Sequence, residues 1–483
     1  MFSDKHRFSL EAPEIEPTRI AIRWQGDIVG VRRFLGDHWE RSYGDLEWRA
    51  EIPDRPMPWY FLAYDGKRTH GYGVRTRPSS FCFWNADRSG ITLWLDVRNG
   101  GKGVVLGERE IELCEVVSRE GDPEESAFQA HQAFCRQMCP YPRLTSEPVY
   151  GTNDWYSLYG QNSAHQILEI SQMVGELAPN VPNRPFSVID AGWSPGGCDE
   201  GPYDQGNERF GDMAMFASQL KDLGVRPGLW IRPLVSSPDT PESWRLSRDS
   251  KFLDPTHPEV SEHVLQMVKR VVEWGYELIK HDFTSWDITG KWGFEIGASL
   301  TPADWAFQDR SRTTAEIVNE LYDQIRMAAG STYVLGCNTF SHLSAGVFEL
   351  NRIGDDTSGR DWDRTRKMGV NALAYRAAHQ GAFYAADADV AALTQSHKGR
   401  QALEWLRLLG LSGTPLFVSI EPSALGPEEW TALRDAFEKA AIRRDVAEPL
   451  DWMNSVCPRK WRIDGGRQEF DWSTPTGPNP FAS

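Results

Sequence analysis

The chain has 483 residues, of which 40% are hydrophobic and 25% charged, as is ordinary for a globular protein. Its length is too great for one compact core and predicts two or three domains. The formal net charge of -16 opposes contact with phosphate backbones and anionic lipid, which argues against nucleic-acid and membrane partners.

Cysteine usage and the first residues favour a cytoplasmic protein with reduced thiols. The seven cysteines show no framework spacing, and no His/Cys cluster near Cys135 and Cys139 completes a zinc site in the sequence. Residues 1–7 lack the apolar stretch of a signal peptide, and no run of about 18 apolar residues could span a bilayer. We therefore expect neither a metal nor another cofactor. Oligomeric state is left open, with a homo-oligomer allowed.

Residues 1–145 are predicted to form an antiparallel β-sandwich. Short strands, for example 19–24, 91–97 and 111–116, alternate apolar with polar residues and are rich in β-branched and aromatic side chains. Gly-rich breaks such as Asn99-Gly100-Gly101 separate the strands. This texture is typical of a two-sheet sandwich. A single helix, at about 124–138, leads to the next domain.

Residues 146–444 alternate short apolar runs with longer helical periods. The strands are predicted at 149–151, 186–189, 225–231, 276–280, 333–336, 348–353, 382–385 and 414–419. The helices are predicted at 163–178, 212–223, 258–274, 311–329, 361–380, 396–410 and 427–441, so only the fifth strand lacks one. Alternation at this count predicts a parallel (β/α)8 TIM barrel rather than an open sheet. Residues 445–483 are too few for a full domain and are predicted to form a short β-rich extension.

Polar and aromatic residues recur where the predicted barrel strands end. In a (β/α)8 barrel these ends meet at one mouth, which carries the reactive side chains. Seven of the eight strands contribute, through Asn153-Asp154-Trp155, Asp190-Ala191-Gly192-Trp193, Trp230-Ile231-Arg232, Lys280-His281-Asp282, Cys337-Asn338, Arg352-Ile353-Gly354-Asp355-Asp356 and Asp387-Ala388-Asp389. Such a mouth is rich in carboxylate and indole and holds no Gly-rich phosphate cradle.

Two carboxyl groups in this mouth suit the hydrolysis of an acetal, which needs one carboxylate and one proton donor on either side of a sugar. Lys280 lies two residues before Asp282, so both point to one face of an extended strand and the ammonium favours the carboxylate form of Asp282. We therefore predict Asp282 as a nucleophile. Arg352 and Asp356 follow the sixth strand, where Asp356 could carry the proton, with its neighbour Asp355 as the alternative.

Other residues of the mouth carry two interpretations each. The rings of Trp155, Trp193 and Trp230 suit either a hydrophobic core or a stacking platform for a sugar. Arg232 could orient a carboxylate of the protein or reach the substrate. Cys337 is by itself typical of a small buried side chain. His281, His342 and Trp286 are candidates without an assigned role.

The order of these motifs resembles that of the melibiase clan, glycoside hydrolase clan D, which contains the α-galactosidases of family 36. The clan's Gly-x-Asn-x-Trp-Tyr segment is matched by 151–156, its Asp-Asp-Gly-Trp by 190–193, and its Leu-Lys-x-x-Gly-x-x-x-Gly-Leu-Trp by 220–230. Its Lys-Trp-Asp-Phe is matched by 280–283, its Arg and Asp four residues apart by Arg352 and Asp356, and its late Asp-Pro-Asp by 387–389.

The resemblance implies a retaining α-glycosidase that acts through a covalent glycosyl–Asp282 intermediate, with Asp356 as the acid/base. It also implies substrate contacts from a set of mouth residues: Trp155, Asp190, Trp193, Trp230, Lys280, Cys337, Asn338, Arg352 and Asp389. The expected substrate is an oligosaccharide or a small α-glycoside. A transglycosidase similar to raffinose and stachyose synthases, and a non-catalytic carbohydrate-binding barrel, are the alternatives.

Three departures from the family's pattern concern the sugar. Ala191 stands where α-galactosidases place a second aspartate that binds the sugar's 4- and 6-hydroxyls. Residues 338–342 replace a Gly-rich stretch, and the tail after 444 is shorter than the family's C-terminal sandwich. Because a site built to bind a hydroxyl discriminates strongly, the loss of that carboxylate predicts a weaker preference for galactose.

Overall fold

The computed structural model describes residues 6–28, 30–44 and 46–472. It is a mixed α/β structure in which two antiparallel sheets precede a large parallel sheet. A small antiparallel sheet follows near the C-terminus. The last eleven residues of the predicted C-terminal extension lie outside the described residues.

The described residues of the N-terminal part form nine strands in two sheets. They are β1 (His6–Ala12), β2 (Arg19–Gln25), β3 (Arg33–Gly36), β4 (Met57–Pro58), β5 (Tyr60–Tyr64), β6 (Thr69–Val74), β7 (Phe81–Asp87), β8 (Gly90–Asp96) and β9 (Gly107–Arg119). One sheet has the order β1-β9-β6-β5-β3 and the other β2-β8-β7-β4. Their inner faces pack through aromatic rings, such as Phe61 of one sheet against Trp84 of the other at 5.8 Å between centroids. Burial alternates along the edge strands β1 and β2, as the sequence pattern predicted, whereas β5, β7 and β8 are buried along most of their length.

The parallel sheet is TIM-barrel-like. Its strands are β10 (Tyr150–Asn153), β11 (Phe186–Ile189), β12 (Arg226–Ile231), β13 (Leu278–His281), β14 (Tyr333–Gly336), β15 (Leu350–Arg352), β16 (Ala385–Asp387), β17 (Val390–Leu393) and β18 (Leu416–Ile420). They run in the order β16-β15-β14-β13-β12-β11-β10-β18-β17. The two end strands of that order are consecutive in the chain and are separated by Ala388 and Asp389 alone.

The seventh predicted strand differs from the structure. It was expected at 382–385, whereas the chain extends at 385–387 and again at 390–393. Asp389 adopts a left-handed conformation, with φ of 70°, which interrupts the strand. The break divides the pairing, so that β16 bonds to β15 and β17 bonds to β18.

Helices connect the parallel strands and also join the two parts of the chain. They are α1 (Ala127–Met138), α2 (Trp155–Leu158), α3 (Ala164–Leu177), α4 (Met213–Asp222), α5 (Pro258–Glu273), α6 (Thr284–Thr289), α7 (Thr314–Ala328), α8 (Ser341–Ser344), α9 (Trp362–Thr365), α10 (Asn371–Arg376), α11 (Arg400–Leu411) and α12 (Pro427–Ala440). A π-helical turn, Arg366–Val370, joins α9 to α10. Capping boxes at Ser126 and Thr313 fix the starts of α1 and α7 by satisfying otherwise unpaired N–H groups. In the described part of the chain no helix is long and apolar enough to cross a bilayer.

The C-terminal residues form the small sheet β19 (Glu448–Pro449), β20 (Lys460–Ile463) and β21 (Gly466–Glu469). Its indoles are buried, and Trp452 packs on both Trp48 and Phe128 of the N-terminal part. A buried ion pair between Asp37 and Arg376, at 2.7 Å, also joins the N-terminal part to the barrel. The N-terminal sheets therefore lie directly on the barrel, close to the ends of its strands.

Candidate active site

Asp282 directly follows β13 and is held by two N–H donors. The indole Nε1 of Trp230 donates to one carboxylate oxygen at 2.9 Å. The backbone N–H of Phe283 donates to the other at 2.8 Å. Phe283 itself has φ of 64°, an uncommon value for a large side chain that bends the chain sharply after the carboxylate. Both oxygens are thus fixed in a buried site.

Lys280 contacts Asp190 rather than Asp282. Its ammonium lies 2.6 Å from a carboxylate oxygen of Asp190, and both side chains are buried. The amide of Asn153 donates to the same oxygen at 2.8 Å, and the backbone N–H of Ala191 to the other at 2.8 Å. Lys280 therefore pairs with Asp190 and not with Asp282, and both oxygens of Asp190 already accept hydrogen bonds.

Asp154 lies behind Asp190 and was not predicted as a site residue. It accepts the backbone N–H of Asp190 at 2.6 Å and the amide of Asn162 at 2.7 Å. Burial and the neighbouring charge of Asp190 raise the pKa of Asp154 to about 7. The two aspartates therefore share one polar cluster at the ends of β10 and β11.

Asp355 and Asp356 differ in how firmly they are held. The carboxylate of Asp355 lies between Arg41, at 2.9 Å, and Arg364, at 2.8 Å. Asp356 lies 3.2 Å from each of Arg41 and Arg352. Its side chain is 38% exposed, compared with 11% for Asp355. Asp356 is thus the more accessible of the two acids.

The cations around Asp356 lower the pKa of its carboxyl group. Burial acts to raise the pKa of Asp356, but the cations of Arg41 and Arg352, with smaller contributions from Lys280 and Arg364, outweigh burial and lower it. Asp356 is therefore a carboxylate in the free protein. To donate a proton it needs a change in its surroundings, such as the displacement of a cation by a ligand.

Arg41 reaches the barrel mouth from the loop after β3 in the N-terminal part. Besides Asp355 and Asp356, it lies within 3.6 Å of the sulfur of Cys337 and about 6 Å above the ring of Trp292. The preceding residue, Glu40, accepts the backbone N–H of Gly293 at 2.7 Å and the amide of Asn338 at 2.5 Å. Asn338 thus bonds to this loop, and the loop forms one wall of the mouth.

Arg352 is fully buried and bonded on several sides. It lies 2.9 Å from one oxygen of Asp389, 3.2 Å from Asp356 and 3.6 Å from the sulfur of Cys337. The second oxygen of Asp389 accepts the backbone N–H and the hydroxyl of Thr357, at 2.7 and 2.8 Å, and the hydroxyl of Tyr156. Asp389 therefore orients Arg352, which in turn orients Asp356.

The three tryptophans predicted at the mouth occupy different depths. Trp230 bonds to Asp282, as described above. Trp193 donates its N–H to the carbonyl of Trp230 at 2.9 Å and is fully buried between Tyr203 and Trp274, so no ring face is open to a ligand. Trp155 is half-buried and packs edge-on against Tyr159. Of the three, Trp155 is the one whose ring is partly exposed.

A second aromatic group lies on the same rim. The rings of Phe283, Trp286 and Trp292 are half-buried, and that of Trp292 contacts the other two, with centroids 5.8 and 5.7 Å apart. Trp292 also lies beneath Arg41. Such a surface is suited to stacking on a sugar ring. Trp292 was missed from the sequence because it lies in a long segment between β13 and α7, away from any strand end.

The remaining candidates have packing roles. Arg232 forms a buried ion pair with Asp287 at 2.6 Å, so it orients a carboxylate of the protein. His281 bonds to the hydroxyl of Thr284, and His342 bonds to the carbonyl of Val74 at 2.8 Å. Burial lowers the pKa of His281 to about 3, so its ring is neutral.

Searches with the sequence alone found no match, neither to a profile of a known family nor to a curated protein. The fold does have relatives among solved structures. An α-galactosidase of Thermus thermophilus in complex with p-nitrophenyl α-D-galactopyranoside aligns with a TM-score of 0.64 and 17% identity, over 97% of this chain and 99% of that one. The same enzyme in complex with stachyose aligns with a TM-score of 0.62 and 18% identity, over 90% and 99%. The GH36 α-galactosidase AgaA of Geobacillus stearothermophilus aligns with a TM-score of 0.60 and 12% identity, over 92% of this chain and 66% of that one.

The chain has the fold of the family 36 α-galactosidases. The resemblance read from the order of motifs is therefore confirmed at the level of fold, across both the N-terminal sheets and the barrel. Fewer than one fifth of the aligned residues are identical in this chain and in these α-galactosidases. The chemistry of this chain therefore has to be argued from its own residues.

Proposed function

We propose that the protein is a retaining α-glycoside hydrolase in which Asp282 is the nucleophile and Asp356 the acid/base. The observation that carries the proposal is the pair of N–H bonds from Trp230 and Phe283, which hold the Asp282 carboxylate at the end of a barrel strand. A second carboxylate, Asp356, is partly open to the same mouth. Two carboxyl groups on a sugar pocket are what double displacement requires.

In the first step, an oxygen of Asp282 attacks the anomeric carbon and the bond to the leaving oxygen breaks. Asp356 supplies the proton that the leaving oxygen takes up. In the second step, the Asp356 carboxylate takes a proton from water, which attacks the anomeric carbon and releases Asp282. The low pKa of Asp356 in the free protein suits the second step. The first step requires that bound substrate weakens the contact of Asp356 with Arg41.

The sugar ring would lie between Asp282 and Asp356, with Asp190, Lys280 and Trp155 as further contacts. Asp190 would bind the sugar's hydroxyls with a single carboxylate, because Ala191 provides no second one. An unmade hydrogen bond of this kind costs about 1–3 kcal/mol, or roughly one to two decades in rate. We therefore expect weak turnover of simple aryl α-galactosides, with another sugar or a longer glycoside preferred.

The test is a panel of 4-nitrophenyl α-glycosides that includes the galactoside, assayed with the wild-type protein and with Asp282→Asn. The substitution removes the attacking charge but keeps the size of the side chain, so we expect turnover to fall by at least about four decades with the fold intact. Asp239→Asn, on an exposed loop, serves as the matched control and should leave turnover unchanged.

The anomeric form of the first product, followed by NMR, checks the stereochemistry. Retention is expected, whereas inversion or near-normal turnover in Asp282→Asn would contradict the mechanism. Added acceptor sugars separate hydrolysis from glycosyl transfer, because a transglycosidase gives a larger oligosaccharide. Sugar binding without turnover of any glycoside would support a non-catalytic barrel.

A further inference from the structure

Two histidines and a cysteine meet in the core, where α1 packs on the barrel. His131 and Cys135 are four residues apart on α1 and so lie on one face of that helix. His379 ends a short 3-10 helix, Ala377–His379, that follows α10. All three side chains are buried. The sequence did not predict this cluster, since its third member is supplied by a distant segment of the chain.

The distances suit a single ion. One ring nitrogen of each histidine and the sulfur of Cys135 all lie within 4.8 Å of one another. A point among three such atoms is at most roughly 2.8 Å from each (4.8 Å divided by √3), while zinc–nitrogen and zinc–sulfur bonds are about 2.0–2.3 Å. Movements of less than an ångström would therefore bring all three atoms into bonding distance.

The surroundings leave one ring nitrogen of His131 for an ion, whereas His379 Nδ1 lies 3.3 Å from the hydroxyl of Tyr384, which the ion would displace. His131 Nδ1 is buried and has no hydrogen-bond partner among the described residues. The hydroxyl of Tyr60 lies 2.9 Å from His131 Nε2 and 2.7 Å from His379 Nε2, where it can orient both rings or provide a fourth ligand. Trp452 stacks on His131 and closes the site from the C-terminal side. Of the charged groups that act on Cys135, Asp37 and Arg376 form an ion pair with each other.

The donor set selects the metal. Two imidazole nitrogens and a thiolate favour zinc over calcium or magnesium, which prefer oxygen ligands. The Cys135 thiol loses its proton to solvent as the ion binds, and the sulfur–zinc bond replaces the sulfur–hydrogen bond.

We propose that His131, Cys135 and His379 bind one structural zinc ion that ties α1 of the N-terminal part to the barrel. The site is separate from the residues assigned to glycoside hydrolysis. Because its ligands come from both parts of the chain, metal binding and the docking of the two parts are linked. The ion enters during folding, since the cluster is closed in the folded protein.

The test is the zinc content of the full chain produced in zinc-supplemented medium and freed of loose metal by a chelator. The wild-type protein should hold one zinc ion per chain, and Cys135→Ser should hold almost none. The matched control is Cys139→Ser, one turn further along and outside the cluster, which should keep the ion. Production in cobalt medium should give a thiolate-to-cobalt charge-transfer band in the wild type and in Cys139→Ser alone.

Two results would overturn the proposal. One is a wild-type protein that folds with far less than one zinc ion per chain and shows no cobalt–thiolate band. The other is Cys135→Ser that retains as much metal as the wild type. If Cys135→Ser does not fold, the metal content and cobalt spectrum of the wild type still decide the question.

Discussion

At the residue scale, the contact between Arg41 and Asp356 would control the proton that the proposed reaction needs. Arg41 lies 3.2 Å from Asp356 and lowers the pKa of that carboxyl, so the acid form is scarce in the free protein. The pH dependence of kcat/KM reports the pKa values of the free enzyme, and its basic limb falls where the acid loses its proton. Arg41 should therefore hold that limb at low pH.

We expect Arg41→Gln to move the basic limb of kcat/KM to higher pH. Removing a cation raises the pKa of a neighbouring carboxyl, here by roughly one unit, because Asp356 is partly exposed and keeps Arg352. The measurement is the pH profile on the best aryl glycoside. Arg41→Lys keeps the charge and should retain a limb close to that of the wild type. A loss of activity without a shift of the limb would show that Arg41 is only a structural support.

At the scale of elements, the close approach of β10 to β11 depends on one glycine. Gly151 has φ of 149°, and a Cβ there would lie 2.0 Å from the carbonyl oxygen of Phe186. Since that oxygen belongs to the backbone of a paired strand, it cannot move away without breaking the pairing. The glycine that begins the Gly-x-Asn-x-Trp-Tyr motif is thus required by the close contact between two barrel strands.

We expect Gly151→Ala to destabilise the fold by about 1–3 kcal/mol or more, the cost of overpacking a close contact. The control is Gly26→Ala, at a position where a Cβ meets nothing within 4 Å, and its free energy of unfolding should change little. Denaturant unfolding of both variants makes the comparison. Equal stability of the two variants would show that β10 and β11 separate readily at this point.

The helices and strands were predictable because periodicity is a local property. The helices predicted at 163–178 and 258–274 occur at Ala164–Leu177 and Pro258–Glu273. The start of the seventh strand was placed too early, since the apolar run at 382–385 is packed against the barrel without being extended throughout. No pattern of hydrophobicity marks the left-handed Asp389 that divides this strand.

At the scale of the whole molecule, the site combines distant segments, and this limits what a sequence can predict. Three aspartates, Asp190, Asp282 and Asp356, each follow a predicted barrel strand. The sequence therefore predicted that they lie at the same end of the barrel. Arg41 and Glu40 follow a sandwich strand, and nothing in their own pattern indicates a barrel mouth. The division of the chain at 145/146 and 444/445 remains a prediction.

The buried pair of Asp37 and Arg376 should make the N-terminal part and the barrel unfold together. Their side chains are 4% and 1% exposed, so Asp37→Asn leaves a buried cation without its partner. The expected loss is about 3–5 kcal/mol. Glu112→Gln breaks a surface pair with Arg7, whose side chains are 53% and 64% exposed, and should cost under about 1 kcal/mol. Calorimetry measures both, and two separate transitions in the wild type would contradict this coupling.

The loop that contains Glu40 and Arg41 also limits how the domains of this protein can be exchanged with those of other proteins. A barrel excised from the chain would carry Asp282 and Asp356, but it would lack the cation that contacts Asp356 and the carboxyl group that bonds Asn338 and Gly293. In a chimera with a foreign N-terminal part the surroundings of Asp356, the proposed acid/base, would therefore be altered, even if every barrel residue were kept. The smallest portion of this chain that can be transplanted with its chemistry intact includes the sandwich loop.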